Sequence, residues 1–166
     1  DPTHGSWGSM FQPMGGSFPD GYFHSCGLDN QHLVRWIDDA KSSFENRLDY
    51  SVLDPEEVNH EPVAIIKGFA ESGIIKLHAT AGESVTLDAS LSYDPDGDKV
   101  NYSWYFYEEA SSASTLPVIE RPVESKIEFE MPSLDKKQEL HLILEVEDTG
   151  KPSLTAYRRV IIFGAA

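Results

Sequence analysis

The feature that most constrains this sequence is an acidic turn between two segments with a β-strand pattern. Val85 and Leu87 alternate with polar neighbours, which is typical of a half-buried strand. The turn at 94–98 contains three Asp, one Pro and one Gly, which are residue types that favour tight turns. Aromatic residues then alternate along 102–106, so one set of rings faces one side of the next strand. Strand, turn and aromatic strand predict the centre of a β-sandwich.

The same type of pattern extends over most of the chain. Short segments rich in Gly, Pro, Asp or Ser separate runs with strand character. The predicted strands are 63–66, 74–78, 84–88, 101–107, 117–121, 126–130, 140–147 and 155–163. Seven or eight short strands in about 105 residues are typical of two antiparallel sheets with Greek-key connections. The predicted fold class is therefore mainly β: an immunoglobulin-like antiparallel β-sandwich with an N-terminal coil and one amphipathic helix.

Strand alternation also predicts which side chains form the core. Trp104 is assigned to the core, because immunoglobulin-like sandwiches bury a Trp at an equivalent place. The same alternation turns Tyr105 and Tyr107 to the opposite face of that strand. The predicted core consists of Leu77, Val85, Leu87, Tyr102, Trp104, Phe106, Ile127, Phe129, Leu140, Leu142, Leu144, Val146, Val160 and Ile162.

One helix is predicted over 30–48, with Asp29 or Asn30 as its N-terminal cap. Its apolar residues recur three or four positions apart and form a single stripe. The stripe consists of Leu33, Ile37, Ala40, Phe44 and Leu48. A lone amphipathic helix cannot bury such a stripe, so we expect it to dock on the sandwich, on a partner chain or on a domain outside this sequence. Trp36 lies beside the stripe, and Asp39 is among the residues expected to face water.

The first 28 residues show neither a helical nor a strand period. They are rich in Gly, Ser, Pro and aromatic residues. This composition predicts an ordered coil that packs its aromatic rings on another surface. A disordered leader and a ligand-binding loop are the alternatives. A polar segment over 54–62 contains two prolines and predicts a linker. The predicted domains are 1–58, a coil plus helix, and 59–166, the sandwich.

The net charge of the chain limits the classes of molecule that it can bind. The chain has 13 Lys and Arg against 28 Asp and Glu, which gives a net charge of −15. Such a chain repels phosphate backbones and anionic lipid, so we expect no nucleic-acid partner and no membrane partner. No apolar run approaches the roughly 20 residues that a membrane span needs. Cys26 is the single cysteine, so no intrachain disulfide can form. Because there is no initiating Met and no signal peptide, we expect a fragment or a mature piece of a longer protein.

Several motifs in a fixed order carry a family resemblance. The segment 85–98 with the Tyr-Ser-Trp strand resembles polycystic-kidney-disease-like (PKD-like) and related immunoglobulin-like modules of secreted bacterial carbohydrate-active proteins. Further motifs are Arg-Trp at 35–36, Phe-Glu-Asn-Arg-Leu-Asp-Tyr at 44–50, Asn-His-Glu-Pro at 59–62, the strand at 140–148 and Tyr-Arg-Arg-Val at 157–160. Together they resemble the C-terminal part of the cellulose-binding Sde182-type proteins, in which a nucleoside-hydrolase-like domain precedes a C-terminal sandwich domain.

The resemblance implies a non-catalytic, carbohydrate-associated module of a larger secreted, periplasmic or cell-surface protein. Its partners would be a polysaccharide such as cellulose and the N-terminal hydrolase-like domain, of which residues 1–58 would be the tail or the linker. The alternative is a structural domain that stabilises or positions the hydrolase-like domain without binding sugar. No phosphate-binding loop, Gly-x-Ser-x-Gly elbow or Cys-His pairing is found, so we expect no enzymatic activity in this chain.

Four aromatic residues are candidates for sugar contact: Tyr105, Tyr107, Trp36 and Trp7. Exposed aromatic faces can stack on the apolar faces of pyranose rings, because both surfaces are flat and poorly hydrated. The alternative for the tyrosines is that they form cross-strand pairs or lie beneath the helix. In the second case the rings would be covered by protein.

Two polar motifs are candidates for a metal site and for a domain junction. Asp94, Asp96 and Asp98 are spaced by two, and their carboxylates could converge on calcium, which prefers oxygen ligands. The alternative is a structural turn, in which Asp side chains hold their own backbone. Asn59 and His60 lie at the predicted domain boundary, where we expect them to join the two units by hydrogen bonds.

Overall fold

The computed structural model describes residues 31–69, 73–108, 110–135 and 138–164, and the side chains within 31–35 are excluded. These described residues form one helix, one 3-10 turn and six strands. The helix α1 spans Gln31–Asp49, and the 3-10 turn spans Pro55–Glu57. The strands are β1 (Ile75–Ala79), β2 (Ser84–Asp88), β3 (Asn101–Phe106), β4 (Lys126–Glu130), β5 (Glu139–Glu147) and β6 (Thr155–Gly164). The N-terminal coil over 1–28, the helix caps Asp29 and Asn30, and Trp7 lie outside the described residues.

The strands form two sheets. One sheet has four strands in the order β1-β6-β5-β3, and the other pairs β2 with β4. All pairs are antiparallel except β1 and β6, which run parallel. Alternating apolar residues cover the inner face of both sheets, as the strand period requires. The mainly β sandwich predicted from the sequence is therefore confirmed.

Trp104 lies at the centre of the core. Its side chain is 2% exposed, and its indole N–H donates a hydrogen bond of 2.9 Å to the carbonyl of Glu124. Across the core, the rings of Phe106 and Phe129 meet edge to face at 5.2 Å. The predicted core residues are buried, apart from Leu77, Tyr102 and Phe106, which are partly buried and pack against the core.

Two predicted strands do not form. Within 63–66, only Val63 makes a bridge, to Tyr93. The hydroxyl of Ser92 accepts a hydrogen bond from the Ile65 N–H and donates one to the Ile65 carbonyl, so a side chain takes the place of a neighbouring strand. The segment 117–121 is a loop; the Pro that begins it has no N–H to donate to a ladder.

Helix α1 does not turn its apolar stripe toward the sandwich. Ile37, Phe44 and Leu48 are 56%, 62% and 51% exposed. The helix contacts the four-stranded sheet through Asp39, whose carboxylate accepts hydrogen bonds from the hydroxyls of Tyr157 and Thr155. The expectation that Asp39 faces water is therefore wrong: tyrosine and threonine hydroxyls on β6 satisfy it. In the part of the chain that the structure describes, no helix is both long and apolar enough to cross a membrane.

Candidate functional site

A groove lies between α1 and the outer face of the four-stranded sheet. Side chains on this face alternate with those of the core, so the strand register decides which of them stand side by side. Tyr105 on β3 is opposite Ile143 on β5, which in turn is opposite Arg159 on β6. An aromatic ring, an aliphatic side chain and a guanidinium thus form one row across three strands.

Three aromatic side chains meet at one end of this row. The indole N–H of Trp36 donates a hydrogen bond of 3.3 Å to the hydroxyl of Tyr105. That hydroxyl donates in turn to the carboxylate of Glu145 at 2.8 Å. The ring of Trp36 also meets the ring of Tyr107 edge to face, with centroids 5.4 Å apart and an interplanar angle of 85°. Three of the four residues proposed for sugar contact are therefore neighbours, and all three are half-buried.

The groove has a volume of about 560 Å³. This lies within the range of roughly 300–1,000 Å³ that is typical of small-molecule sites. Aromatic and aliphatic side chains form most of its wall, and a carboxylate and a guanidinium are among its polar groups. The groove therefore combines an apolar wall with hydrogen-bonding groups, as ligand sites generally do.

A polar cluster beside the groove holds Arg159. Its Nε donates a hydrogen bond of 3.0 Å to Nδ1 of His141, and a second guanidinium nitrogen contacts the same atom. Because Nδ1 accepts, the hydrogen of the neutral ring is on Nε2, which donates to Glu139 at 2.9 Å. His141 is buried, and its backbone N–H donates to the hydroxyl of Ser111 at 3.0 Å. The cluster fixes the guanidinium at the edge of the groove.

Sequence reasoning missed this cluster. Glu139 and His141 are two residues apart on one strand, so their side chains share a face, and this signal was available. The partner Arg159 lies 18 residues further along the chain, and only the register of β5 with β6 brings it within reach.

The residues proposed as a domain junction lie against the loops at one end of the sandwich. The side-chain amide of Asn59 donates to Asp148 at 3.0 Å and to the carbonyl of Pro152 at 2.8 Å. The backbone N–H of His60 donates to the carboxylate of Asp96 at 2.7 Å, and its ring Nδ1 lies 2.8 Å from the other oxygen. The chain that follows α1 is thus tied to the loop after β5 and to the acidic turn.

Two carboxylates of the acidic turn, those of Asp94 and Asp96, accept hydrogen bonds from the protein itself. Oδ1 of Asp94 accepts hydrogen bonds from the backbone N–H groups of Asp96 and Asp98, at 2.9 and 3.1 Å. The carboxylate of Asp96 is engaged by His60, and these hydrogen bonds hold the pKa of Asp96 below its usual value. Among the described residues, no three Asp, Glu, His or Cys side chains are grouped so as to hold a metal ion. The calcium site that the spacing of Asp94, Asp96 and Asp98 suggested stays a prediction.

Two acidic groups near Asn59 have a raised pKa, in contrast to the lowered pKa of Asp96. Burial raises the pKa of Asp148, and the nearby charge of Asp94 adds to this effect, against the hydrogen bonds that Asp148 accepts. Burial also raises the pKa of Glu61, with the charge of Asp148 as a second cause. Gly150 lies so close to Asn59 that a Cβ there would be 2.2 Å from the amide oxygen. The region around Asn59 and Asp148 is therefore tightly packed.

The fold and the groove define an immunoglobulin-like, PKD-like β-sandwich with an aromatic groove on its outer face. The family model described as "Cellulose-binding protein Sde0182, C-terminal domain" matches residues 84–163. Over this region the chain is similar to that family, and the resemblance predicted from the sequence motifs is confirmed.

Solved structures extend the comparison to the helix. A nucleoside hydrolase-related hypothetical protein from Saccharophagus degradans, described as associated with carbohydrate metabolism, is 32% identical, with a TM-score of 0.79. The match covers 99% of this chain and 43% of that protein, so the chain spans less than half of its length. The PKD domain of the KIAA 1837 protein is 19% identical, with a TM-score of 0.40 over 57% of this chain and 84% of that domain. No curated protein matches the sequence.

Proposed function

We propose that this chain is a non-catalytic module of a larger secreted protein and that it binds a cellulose-like polysaccharide in the groove between α1 and the sheet. The observation that carries the proposal is the meeting of Trp36, Tyr105 and Tyr107 in that groove. The description of the matching family as cellulose-binding supports it, as does the association of the Saccharophagus neighbour with carbohydrate metabolism.

The chemistry of the groove suits a neutral sugar. Aromatic rings can pack against the C–H faces of a pyranose, while its hydroxyl groups need hydrogen-bond donors and acceptors. Asp39 is an acceptor at the edge of the groove, and Arg159 is a donor. Since the net charge is −15, an anionic polymer would be repelled at long range. A neutral glycan is therefore the ligand class that we assign.

Removal of an aromatic side chain from the groove is expected to weaken binding. Trp36→Ala and Tyr107→Ala should each raise the Kd for amorphous cellulose at least about tenfold, because buried aromatic contacts dominate such interfaces. Depletion of protein from solution at increasing polymer loads would measure this effect. Phe44→Ala is the matched control, because Phe44 is exposed and is not among the groove-lining residues, and its Kd should stay unchanged. Full recovery of the unmodified chain in the supernatant at every load would contradict the proposal.

Asn59 and His60 are the residues to which we assign the junction in this module. Their hydrogen bonds to Asp148, Pro152 and Asp96 support a fixed connection between the segment after α1 and the sandwich. Through this connection, a domain preceding α1 would be held in a defined orientation to the groove.

A second candidate function is favoured by the exposed stripe of α1. Ile37, Phe44 and Leu48 are each more than half exposed, although they are large and apolar. In a longer protein these side chains would be covered by the hydrolase-like domain, and the sandwich would then stabilise or position that domain. The match with the Saccharophagus neighbour covers 99% of this chain but only 43% of the neighbour. The other 57% of the neighbour lies beyond the match, which supports this view.

Substitution of the stripe residues tests the second candidate. In the parent protein, the triple variant Ile37→Ser, Phe44→Ser, Leu48→Ser is expected to lower the melting temperature of the preceding domain by several degrees, because an apolar contact is lost. Differential scanning calorimetry would measure the change, with the groove variant Tyr107→Ala as control. If the triple variant melts like the unmodified parent protein, the stripe is not a domain contact.

A further inference from the structure

The relative orientation of the groove aromatics limits the form of polysaccharide that can bind. A flat crystalline face would need several rings lying in one plane. Here the rings of Trp36 and Tyr107 are at 85° to each other, and both line a concave groove. A plane that stacks on one ring would therefore meet the other edge-on. A narrow ligand, in contrast, can lie against one ring and touch the second with its edge.

We infer that the groove binds a single glycan chain rather than the flat face of a crystalline polymer, and that Arg159 is its polar anchor. The inference rests on the proposed function and specifies the physical form of the polysaccharide and a residue that selects it. A volume of about 560 Å³ suits a short stretch of one chain.

The position of Arg159 suits this role. It stands in one cross-strand row with Tyr105 and Ile143, so its guanidinium lies beside the apolar wall. A guanidinium has five N–H donors in a rigid, planar arrangement. Contact with His141 occupies Nε and one further nitrogen, and more donors remain for the hydroxyl groups of a sugar.

His141 and Glu139 are positioning residues in this account. The guanidinium stays in place because Nδ1 of His141 accepts from it, and Glu139 fixes the tautomer by accepting from Nε2. A long, flexible arginine that is held in this way loses less side-chain freedom on binding a ligand. The cluster therefore prepares the groove for a ligand that needs several donors at one edge.

Comparison of three probes tests the form of the ligand. The 166-residue chain is titrated with cellohexaose by calorimetry, and its adsorption to amorphous and to microcrystalline cellulose is measured. We expect binding to cellohexaose and to amorphous cellulose, and adsorption to microcrystalline cellulose at least tenfold weaker. Binding to microcrystalline cellulose alone would overturn the inference and leave the proposed function intact. Binding to none of the probes would overturn both.

Substitutions test the anchor. Arg159→Met should raise the Kd for cellohexaose about tenfold, as expected for the loss of hydrogen bonds from a charged donor. Arg121→Met removes the same charge from an exposed arginine outside the groove, and its Kd should not change. His141→Asn places an acceptor near the position of Nδ1 and should retain more affinity than His141→Leu. Equal Kd values for Arg159→Met and Arg121→Met would overturn the assignment of the anchor.

A measurement on the unmodified chain covers the case in which Arg159→Met does not fold. In a two-dimensional NMR spectrum, the Nε–H signal of Arg159 should shift on addition of cellohexaose, and that of Arg121 should not. An Arg159 signal that stays in place at saturating cellohexaose would overturn the role of Arg159 as the anchor.

Discussion

Replacement of Trp104 by alanine is expected to lower the free energy of unfolding by about 4 kcal/mol, the typical cost of removing a buried indole. The side chain is 2% exposed, stands opposite Leu144 and donates a hydrogen bond to the carbonyl of Glu124. Truncation leaves both a cavity between the sheets and an unsatisfied carbonyl, so the two losses add. Urea denaturation followed by circular dichroism would measure the change.

Two further variants separate these causes. Trp104→Phe keeps an aromatic ring in the core but removes the indole N–H, so it should cost less than alanine, about 2 kcal/mol. Leu91→Ala truncates a side chain that is 53% exposed and should stay within about 0.5 kcal/mol of the unmodified chain. A Trp104→Ala variant with unchanged stability would show that the indole is not enclosed by the two sheets.

Asp148→Ala is expected to lower the free energy of unfolding by about 3 kcal/mol. The side chain of Asp148 is 1% exposed. One of its oxygens accepts from the backbone N–H groups of Gly150 and Leu154, at 2.9 and 3.1 Å, and the other accepts from Asn59. Alanine leaves these donors without their acceptor in a tightly packed place. Relief of the repulsion from Asp94 offsets only part of this loss.

The pH dependence of stability provides a second readout for Asp148. Its pKa is raised in the folded state, so between the folded and the unfolded pKa the folded state binds more protons. This carboxyl therefore adds stability as the pH falls through its raised pKa toward the usual value of about 3.9. Asp148→Ala should lack this gain, whereas Asp54→Ala, at an exposed aspartate whose side chain makes no capping hydrogen bond, should keep it. Identical pH profiles for Asp148→Ala and the unmodified chain would contradict the buried position of Asp148.

Much of the sandwich could be predicted because strand alternation is a local signal. β2 and β4 were predicted with their observed ends, since apolar and polar residues alternate cleanly in both. Segment 63–66 is entirely apolar and was also predicted as a strand, but the hydroxyl of Ser92, 27 residues away from Ile65, takes its hydrogen bonds. No local pattern indicates that a side chain will replace a strand.

The orientation of the helix could not be predicted either, because it also depends on a contact between residues far apart in the sequence. Its period was visible, but the contact that docks it joins Asp39 to Tyr157, and these residues are 118 positions apart. A stripe of apolar residues normally marks the buried face of a helix, and here the described sandwich contacts a more polar face.

Composition and the alternation of side chains along a strand indicated the aromatic residues of the groove individually. That these residues lie together in one groove depends on the tertiary structure. Strand alternation alone predicted that Tyr105 and Tyr107 face away from the core. Trp36 joins them because α1 packs on the outer face of the sheet. Arg159 belongs to the motif at 157–160 that contributed to the family resemblance, but nothing in that motif indicated a place in the groove.

The indole N–H signals of the chain provide the most direct test of sugar binding in the groove. In a two-dimensional NMR spectrum, Trp36 and Trp104 are expected to give separate signals, which Trp→Phe variants can assign. On titration with cellohexaose, the Trp36 signal should shift and saturate, because its N–H contacts Tyr105 inside the groove. The Trp104 signal should remain in place, because its N–H is bonded to Glu124 within the core. A Trp36 signal that does not move at saturating cellohexaose would contradict the account.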